Sequence, residues 1–515
     1  MAVPVIDLFA GPGGLGEGFS AFGAPKRRFR IGLSVEMEEN AHSTLQLRAF
    51  FRQFPKEAVP QAYYEFLRGD STREQIYSRF PEEAGRAGAE ALLAELGKVD
   101  TKEIDARIRQ ALGASKNWVL IGGPPCQAYS IAGRSRNKGK VGYVPEDDDR
   151  HFLYREYLRI IAEHRPPVFI MENVKGLLSA RINGSGIFGQ IISDLQNPSG
   201  NGRRTARPIM YHIYSLVHGG PYGLSEDMGF SPMDFVVKSE LYGIPQARHR
   251  VILLGLRDDV ARNHVHGDVL QPATSQISVK DVIGDLPRVR SGLSHRDSKS
   301  AWLAAMKEIG KAKWLRSVEP TVRRIISEQV RQMSVPKKDR GAEFITHTRQ
   351  PETLKEWFYD KRIDGVCNHT TRGHIASDLH RYMFAACFAA ENGTSPVLSD
   401  FPEELLPAHR NVDEALKGPQ FEDRFRVQIK DRPATTVVSH ISKDGHYYIH
   451  YDPTQCRSLT VREAARLQTF PDNYFFSGPR TSQYHQVGNA VPPYLACQIA
   501  GVVWRIVERA GLTDG

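Results

Sequence analysis

The chain has 515 residues, enough for two to four domains at ~100–200 residues each. A hydrophobic share of 41% and a charged share of 25% exclude global disorder, and a net charge of +9 suits a polyanionic partner. Cys126, Cys367, Cys387, Cys456 and Cys497 form no C-x-x-C pair and are odd in number, which argues against a disulfide framework and a structural zinc site.

The first elements alternate strand and helix. Val3–Phe9 is apolar and strand-like, and it runs straight into a glycine turn with no basic leader or cleavage site before it. Arg30–Met37, Trp118–Ile121, Val168–Met171 and Val251–Leu256 are further short apolar runs. None approaches the ~20 residues of a membrane span, so a soluble, cytoplasmic protein without membrane contact is expected. Strands separated by helical stretches predict an α/β fold with a parallel sheet and helices on both faces. Residues 72–112 read as an inserted helical elaboration, with Ile104, Ile108 and Leu112 on one face. Residues 181–204, rich in Gly, Asn, Ser and Arg, read as a mobile surface loop. Helices are expected near 301–332 and 376–391. Residues 257–349 carry 18 Lys/Arg against 11 Asp/Glu, which places most of the chain's charge excess there and a domain boundary near Arg257.

In such sheets ligands bind beyond the carboxyl ends of the strands, so the residues following each run matter most. Asp7-Leu8-Phe9-Ala10-Gly11-Pro12-Gly13-Gly14 is a strand followed by a glycine turn. Gly11, Gly13 and Gly16 satisfy G-x-G-x-x-G and allow close backbone approach, and Glu36 at the end of the second strand can accept ribose hydroxyls. On this segment alone a ligand-free turn and a dinucleotide pocket stay open. Phe9 is placed to lie against an adenine or to fill the core. Asp70 is placed to accept from an adenine amino group or to sit in a solvated turn.

Gly123-Pro124-Pro125-Cys126-Gln127 sets a cysteine on a proline-stiffened loop after the third run. A thiol of pKa ~8.5 needs nearby positive charge or donors to become a nucleophile. Glu172-Asn173-Val174 ends the fourth run and puts a carboxylate at the same edge. In apolar surroundings that group would hold and donate a proton. Gln246-Ala247-Arg248-His249-Arg250 precedes the fifth run. In an extended segment Gln246, Arg248 and Arg250 share one face, and the two guanidiniums could hold a base edge or a phosphate, or form a solvated basic face.

Taken together these segments resemble the DNA (cytosine-5) methyltransferases of the bacterial type. Asp7–Gly14, the Pro-Cys segment at Cys126, Glu172-Asn173-Val174 and Gln246-x-Arg248-x-Arg250 are similar to family motifs, in the family's order. Arg457–Pro471 resembles the ninth motif, and Gln486-x-Gly488-Asn489-Ala490-Val491-Pro492-Pro493 the last. The resemblance implies a Rossmann-like S-adenosylmethionine-dependent methyltransferase sheet with a second, smaller target-recognition domain. It implies S-adenosylmethionine as cofactor, S-adenosylhomocysteine as product, no metal, and a cytosine of double-stranded DNA flipped out of the stack. Cys126 would attack C6, Glu172 would protonate or hydrogen-bond N3, and Arg248 and Arg250 would hold O2 and the nearby backbone. Phe9, Gly11, Gly13, Gly14, Glu36, Asp70, Pro125, Asn489 and Ala490 would line the cofactor pocket. Ala128–Tyr143 would close over DNA, with Ser130, Arg134 and Arg136 meeting phosphates.

The same resemblance assigns residues 1–257 to the catalytic domain, 258–477 to the smaller domain and 478–515 to a segment returning to the catalytic one. It implies a monomer in the bacterial cytoplasm, at the nucleoid, serving a restriction-modification or other phage-defence complex. Three other readings compete. An RNA cytosine-5 methyltransferase shares these motifs but has a short recognition region. A nicotinamide oxidoreductase explains only the glycine turn and Glu36. A catalytically silent DNA-binding regulator leaves Cys126, Glu172 and Arg248 without a purpose.

Overall fold

The computed structural model describes residues 2–24, 26, 28–125, 150–182, 185–199, 209–218, 231–264, 267–407 and 423–513. They divide into two compact units: residues 1–60, 77–275 and 490–515 form the first, residues 61–76 and 276–489 the second.

The first unit is built on an eight-stranded sheet. Its strands are β1 (Val3–Leu8), β2 (Phe29–Glu36), β3 (Ala91–Leu93), β4 (Val119–Gly122), β5 (Val168–Val174), β6 (Tyr211–Ser215), β7 (Val236–Lys238) and β8 (His249–Arg257). The order is β3-β2-β1-β4-β5-β8-β6, with β7 also on β8. The first five are parallel, while β8 runs antiparallel to β5, β6 and β7. The sheet is thus mixed, not parallel throughout. An apolar run buried on both faces looks the same in either direction, so hydropathy could not report the reversal.

Alternation along the strands feeds two cores. Val119, Ile121, Val168, Ile170, Ile252 and Leu254 face one side, where Leu495, Ile499, Val503 and Ile506 of helix Pro493–Arg509 cover them. Leu120, Phe169, Met171, Val251 and Leu253 face the other, against Ile104, Ile108, Ile160 and Ile161. Each such side chain contributes roughly 1.5–3 kcal/mol on burial. At Gly255 a Cβ would lie 2.1 Å from the Phe169 ring, so this position in β8 must stay bare for the aromatic to pass.

The C-terminal helix, Pro493–Arg509, belongs to the first unit. Helix Gly14–Ala21 meets it through bare backbone: a Cβ on Gly18 would lie 2.4 Å from both Ala496 Cβ and Pro493 O. Helices Arg480–Asn489 and Pro493–Arg509 together form a stretch that passes for a membrane span by length and composition alone. Its apolar window is 72% buried, as befits a core helix.

The unit boundaries differ from those expected at 257 and 477. Residues after β8 stay with the sheet: Leu270 N donates to Leu216 O at 2.9 Å, and Arg509 Nη1 reaches Asp268 Oδ2 at 2.5 Å. Helix Gln61–Arg68 instead joins the second unit, where Tyr64 OH donates to Asp360 Oδ2 at 2.7 Å and Tyr63 OH to Asn473 O at 3.1 Å. Helix Arg480–Asn489 also belongs there, since Tyr484 OH donates to Leu459 O at 2.6 Å. Long-range bonds mark these memberships, and chain order does not reveal them.

Two local expectations also change. The 72–112 stretch forms helices Arg73–Arg79, Pro81–Glu90 and Thr101–Leu112, but β3 interrupts them. Within 181–204, Ile187–Gln196 is a helix that buries Ile187, Phe188, Ile191, Ile192 and Leu195. Its polar flanks masked an amphipathic repeat.

In the second unit, Trp302, Met306, Val322, Ile326 and Val330 pack on Leu379, Tyr382 and Met383. The helices concerned are Lys299–Glu308, Pro320–Gln332 and Ala376–Asn392, close to the two helical regions expected.

Candidate active site at the carboxyl edge of the sheet

The glycine turn leaves β1 through strained backbone. Phe9 has φ 57°, a region costly for an aromatic residue, and Gly11 and Gly13 follow at 57° and 92°. Gly11 N donates to Glu36 Oε2 at 2.7 Å, and Glu38 N to Glu36 Oε1 at 2.8 Å. The acid and the turn therefore meet as their spacing predicts, because β1 and β2 are paired neighbours. Burial raises the Glu36 carboxyl above its ordinary value, and the two amides oppose that shift. Each oxygen keeps a lone pair for a further donor. Nothing lies within 4 Å of a Cβ built on Gly11, so the turn faces open space.

Gly14 is tied to the last motif. A Cβ there would fall 2.2 Å from Val491 O and 3.3 Å from Ala490 Cβ. Phe9, Gly11, Gly13, Gly14, Glu36 and Ala490 are thus brought together. The open space, the Glu36 carboxylate and the half-buried Phe9 ring suit an adenosine with ribose hydroxyls.

Asn489 and Asp70 belong to the second unit. Asn489 is exposed, its Nδ2 3.2 Å from His485 Nδ1. Asp70 has a side chain 63% exposed and pairs with Arg68 Nε at 3.2 Å. The strand beside β2 is β3, with Leu93 opposite Glu36. The acid leaving that strand is Glu95, half-buried and paired with Lys98 at 2.9 Å, and the helical composition around it had concealed it. Asp7 stands out for its burial. It is fully buried in β1, and burial pushes its carboxyl up to about 8.

The substrate side starts where β4 ends. Cys126, Ser130, Arg134, Arg136 and the rest of Ala128–Tyr143 lie outside the described residues, but the segment leading to them is described. Glu172 Oε2 would sit 3.0 Å from a Cβ on Gly123, so the carboxylate rests against this bare position. Asn173, buried, donates through Nδ2 to Pro124 O at 3.2 Å and accepts from Val174 N at 2.9 Å. The Gly-Pro-Pro segment, and Pro125 with it, is thereby pinned beside Glu172.

Arg250 Nε meets Glu172 Oε1 at 2.9 Å, with side chains 13% and 14% exposed. Burial lowers the Arg250 guanidinium's pKa and Glu172 opposes the shift. β8 delivers this arginine because it pairs antiparallel to β5. Gln246 and Arg248 are buried at 0% and 1%, which excludes a solvated basic face. The segment is also not simply extended. Arg248 N bonds back to Gln246 O at 2.9 Å, and Arg248 O accepts from Ser239 N at 3.1 Å and Ser239 Oγ at 2.6 Å.

The ninth motif is architectural. Arg457 Nη1 and Nη2 reach both Glu463 oxygens at 2.7 and 2.6 Å, and Arg466 Nε and Nη2 hold Asp472 at 2.5 and 2.7 Å. Arg462 donates to Cys367 O, Pro471 O and Tyr474 O at 2.9, 3.0 and 2.6 Å. Burial pushes the Glu463 carboxyl up, but Arg457 and His450 outweigh it and hold it well below the usual carboxylate range. Among the described residues no group of three or more His, Cys, Asp or Glu side chains converges to hold a metal.

Comparison with known proteins agrees with this geometry. The family described as C-5 cytosine-specific DNA methylase matches residues 87–198 and 224–505. The type II methyltransferase M.Bpa9945I of Bacillus paralicheniformis is 32% identical over 524 residues, spanning 98% of this chain and 99% of its own. The DNA (cytosine-5-)-methyltransferase M.ApeKI of Aeropyrum pernix is 26% identical, spanning 98% of each chain. A crystal structure of a prophage-encoded E. coli protein shares the fold, with a TM-score of 0.52 at 19% identity over 98% of this chain and all of that one. The chain belongs to the C-5 cytosine-specific DNA methylase family and is an S-adenosylmethionine-dependent DNA (cytosine-5-)-methyltransferase.

Proposed function

We propose that the enzyme methylates C5 of a cytosine flipped out of a specific duplex DNA sequence, through a covalent bond from Cys126 to C6. The observation that carries this reading is the Glu172–Arg250 pair held against Gly123, on the segment that leads into Cys126. Cytosine C5 is a poor nucleophile. Addition of the Cys126 thiolate to C6 makes C5 the carbon of an enamine, while Glu172 protonates or hydrogen-bonds N3 so that charge does not build up on the ring. Arg250 orients Glu172 and meets O2, and Arg248, buried beneath, fixes the turn that delivers Arg250. Bound S-adenosylmethionine supplies the methyl group and departs as S-adenosylhomocysteine. The C5 proton then leaves and the cysteine is expelled, restoring the 5,6 double bond.

Phe9, Gly11, Gly13, Gly14, Glu36, Pro125 and Ala490 would hold the cofactor. Ser130, Arg134 and Arg136 would meet DNA phosphates. The second unit would choose the sequence, and duplex DNA is its partner. Relatives named type II methyltransferases support a role in a restriction-modification system, where the enzyme would act as a cytoplasmic monomer. The test is methyl transfer to duplex DNA by wild type and Cys126→Ser, with bisulfite sequencing of the product. Wild type should yield 5-methylcytosine in one sequence context and the variant none. Turnover by the variant would overturn the role of the thiol.

A further inference from the structure

Residues 299–338 hold ten Lys or Arg against three Asp or Glu, a net of +7, which is the entire excess of the wider 257–349 stretch. The scaffold beneath them is rigid. Helix Pro320–Gln332 buries Val322, Ile326 and Val330, and Trp302 and Trp314 are anchored by hydrogen bonds to Ser291 Oγ at 2.9 Å and His380 Nδ1 at 3.1 Å. The charges lie on the opposite surface. Arg324 and Arg331 are exposed and seven residues apart, so they stand on one outer stripe about 10 Å apart along the helix. Lys307, also exposed, donates to Arg331 O at 3.3 Å and so joins the end of that stripe, where a cation suits the helix C-terminus. The local acids do little to neutralise it. Glu328 pairs with Arg324 at 2.9 Å and Glu308 with Lys311 at 3.1 Å, both exposed pairs that a phosphate can displace cheaply. Glu319 is spent capping its own helix through Thr321 N and Val322 N.

A mostly basic stripe on a helical face, interrupted only by the exposed Glu328, matches a polyanion of regular spacing. We infer that the outer face around Lys307, Arg324 and Arg331 binds the phosphate backbone of duplex DNA and adds affinity without reading bases. The inference rests on duplex DNA being the substrate. It assigns a use to a charge excess that the catalytic edge does not absorb.

The test uses the full-length protein with S-adenosylhomocysteine and a fluorescein-labelled duplex carrying the methylated sequence. Affinity is measured against sodium chloride for wild type and for the triple variant Lys307→Gln, Arg324→Gln, Arg331→Gln. Losing three phosphate contacts at about 0.9 each should lower the salt slope by about 2.7. Binding of S-adenosylhomocysteine and the bisulfite pattern should stay as in wild type. An unchanged slope overturns the inference, and so does a changed methylated sequence, since the helix would then be reading bases. The single variant Arg324→Gln lies on the same stripe, leaves the Lys307 contact to the helix end intact, serves if the triple melts early, and should lower the slope by about 0.9. Wild-type methyl transfer to the same duplex, followed in parallel, separates the two readings. No transfer together with the expected slope change would overturn the proposed chemistry and support this surface.

Discussion

Two arginine–glutamate pairs in this protein have nearly the same geometry and opposite uses. In the first unit Arg250 meets Glu172 at 2.9 Å, with side chains 13% and 14% exposed. In the second, Arg457 meets Glu463 at 2.6 Å, with both 1% exposed. The first stands at the carboxyl edge of the sheet, beside the segment that carries the thiol. The second is locked among helices, and Thr460 N and Ser458 O take up its remaining polar atoms. A motif rich in charge therefore does not by itself mark chemistry. Access does, because a sealed ion pair can only hold the structure together, whereas a pair at an open edge can meet a substrate.

Glu172→Gln breaks this comparison most sharply. It should lower kcat by about 10²–10⁴-fold in single-turnover assays, while the melting temperature stays close to wild type. An active variant would mean that the edge carboxylate is as architectural as Glu463. Arg457→Leu should do the converse. Leaving Glu463 buried and unpaired costs about 3–5 kcal/mol, seen by calorimetry as an early transition of the second unit. A variant as stable as wild type would show that the sealed pair carries no structural weight. Gly123→Ala sharpens the contrast at the edge. Its Cβ would press on Glu172 Oε2 at 3.0 Å, so a loss of roughly 1–2 kcal/mol should appear in kcat more than in stability.

A pH dependence bears on the same contrast between buried and accessible carboxylates. Burial holds the Asp7 carboxyl near 8 in the fold, above the 3.8 of an unperturbed aspartate. The folded state thus keeps a proton that the unfolded chain has lost. This contribution is fully present below about pH 3.8 and fades as pH rises to about 8. Asp7→Asn should flatten stability across that window in denaturant titrations. A wild-type profile as flat as the variant's would contradict the buried neutral acid.

Much of this was readable in the sequence, for physical reasons that also mark the limits. β4, β5 and β8 carry continuous apolar runs that are legible because both faces are buried, and β1 and β2 are apolar enough to read as strands despite Pro4, Asp7 and Arg30. β3 was not, since Ala91-Leu92-Leu93 sits in Ala- and Glu-rich helical surroundings. The reversal of β8 was not either, although it is what brings Arg250 to Glu172. At the site, the meeting of Gly11 with Glu36 follows from strand spacing within one β-α-β unit. The Asn173–Pro124 tether and the second-unit location of Asp70 come from tertiary packing, which no local pattern encodes.

The most direct test of the central claim is a covalent trap. Duplex DNA with 5-fluorocytosine at the target position, incubated with the enzyme and S-adenosylmethionine, should give an adduct that survives denaturation, because fluorine cannot leave C5 as a proton does. Mass spectrometry of the digested complex should find the modified base on the peptide containing Cys126. An enzyme that methylates ordinary DNA yet forms no adduct, or forms it on another residue, would contradict the account.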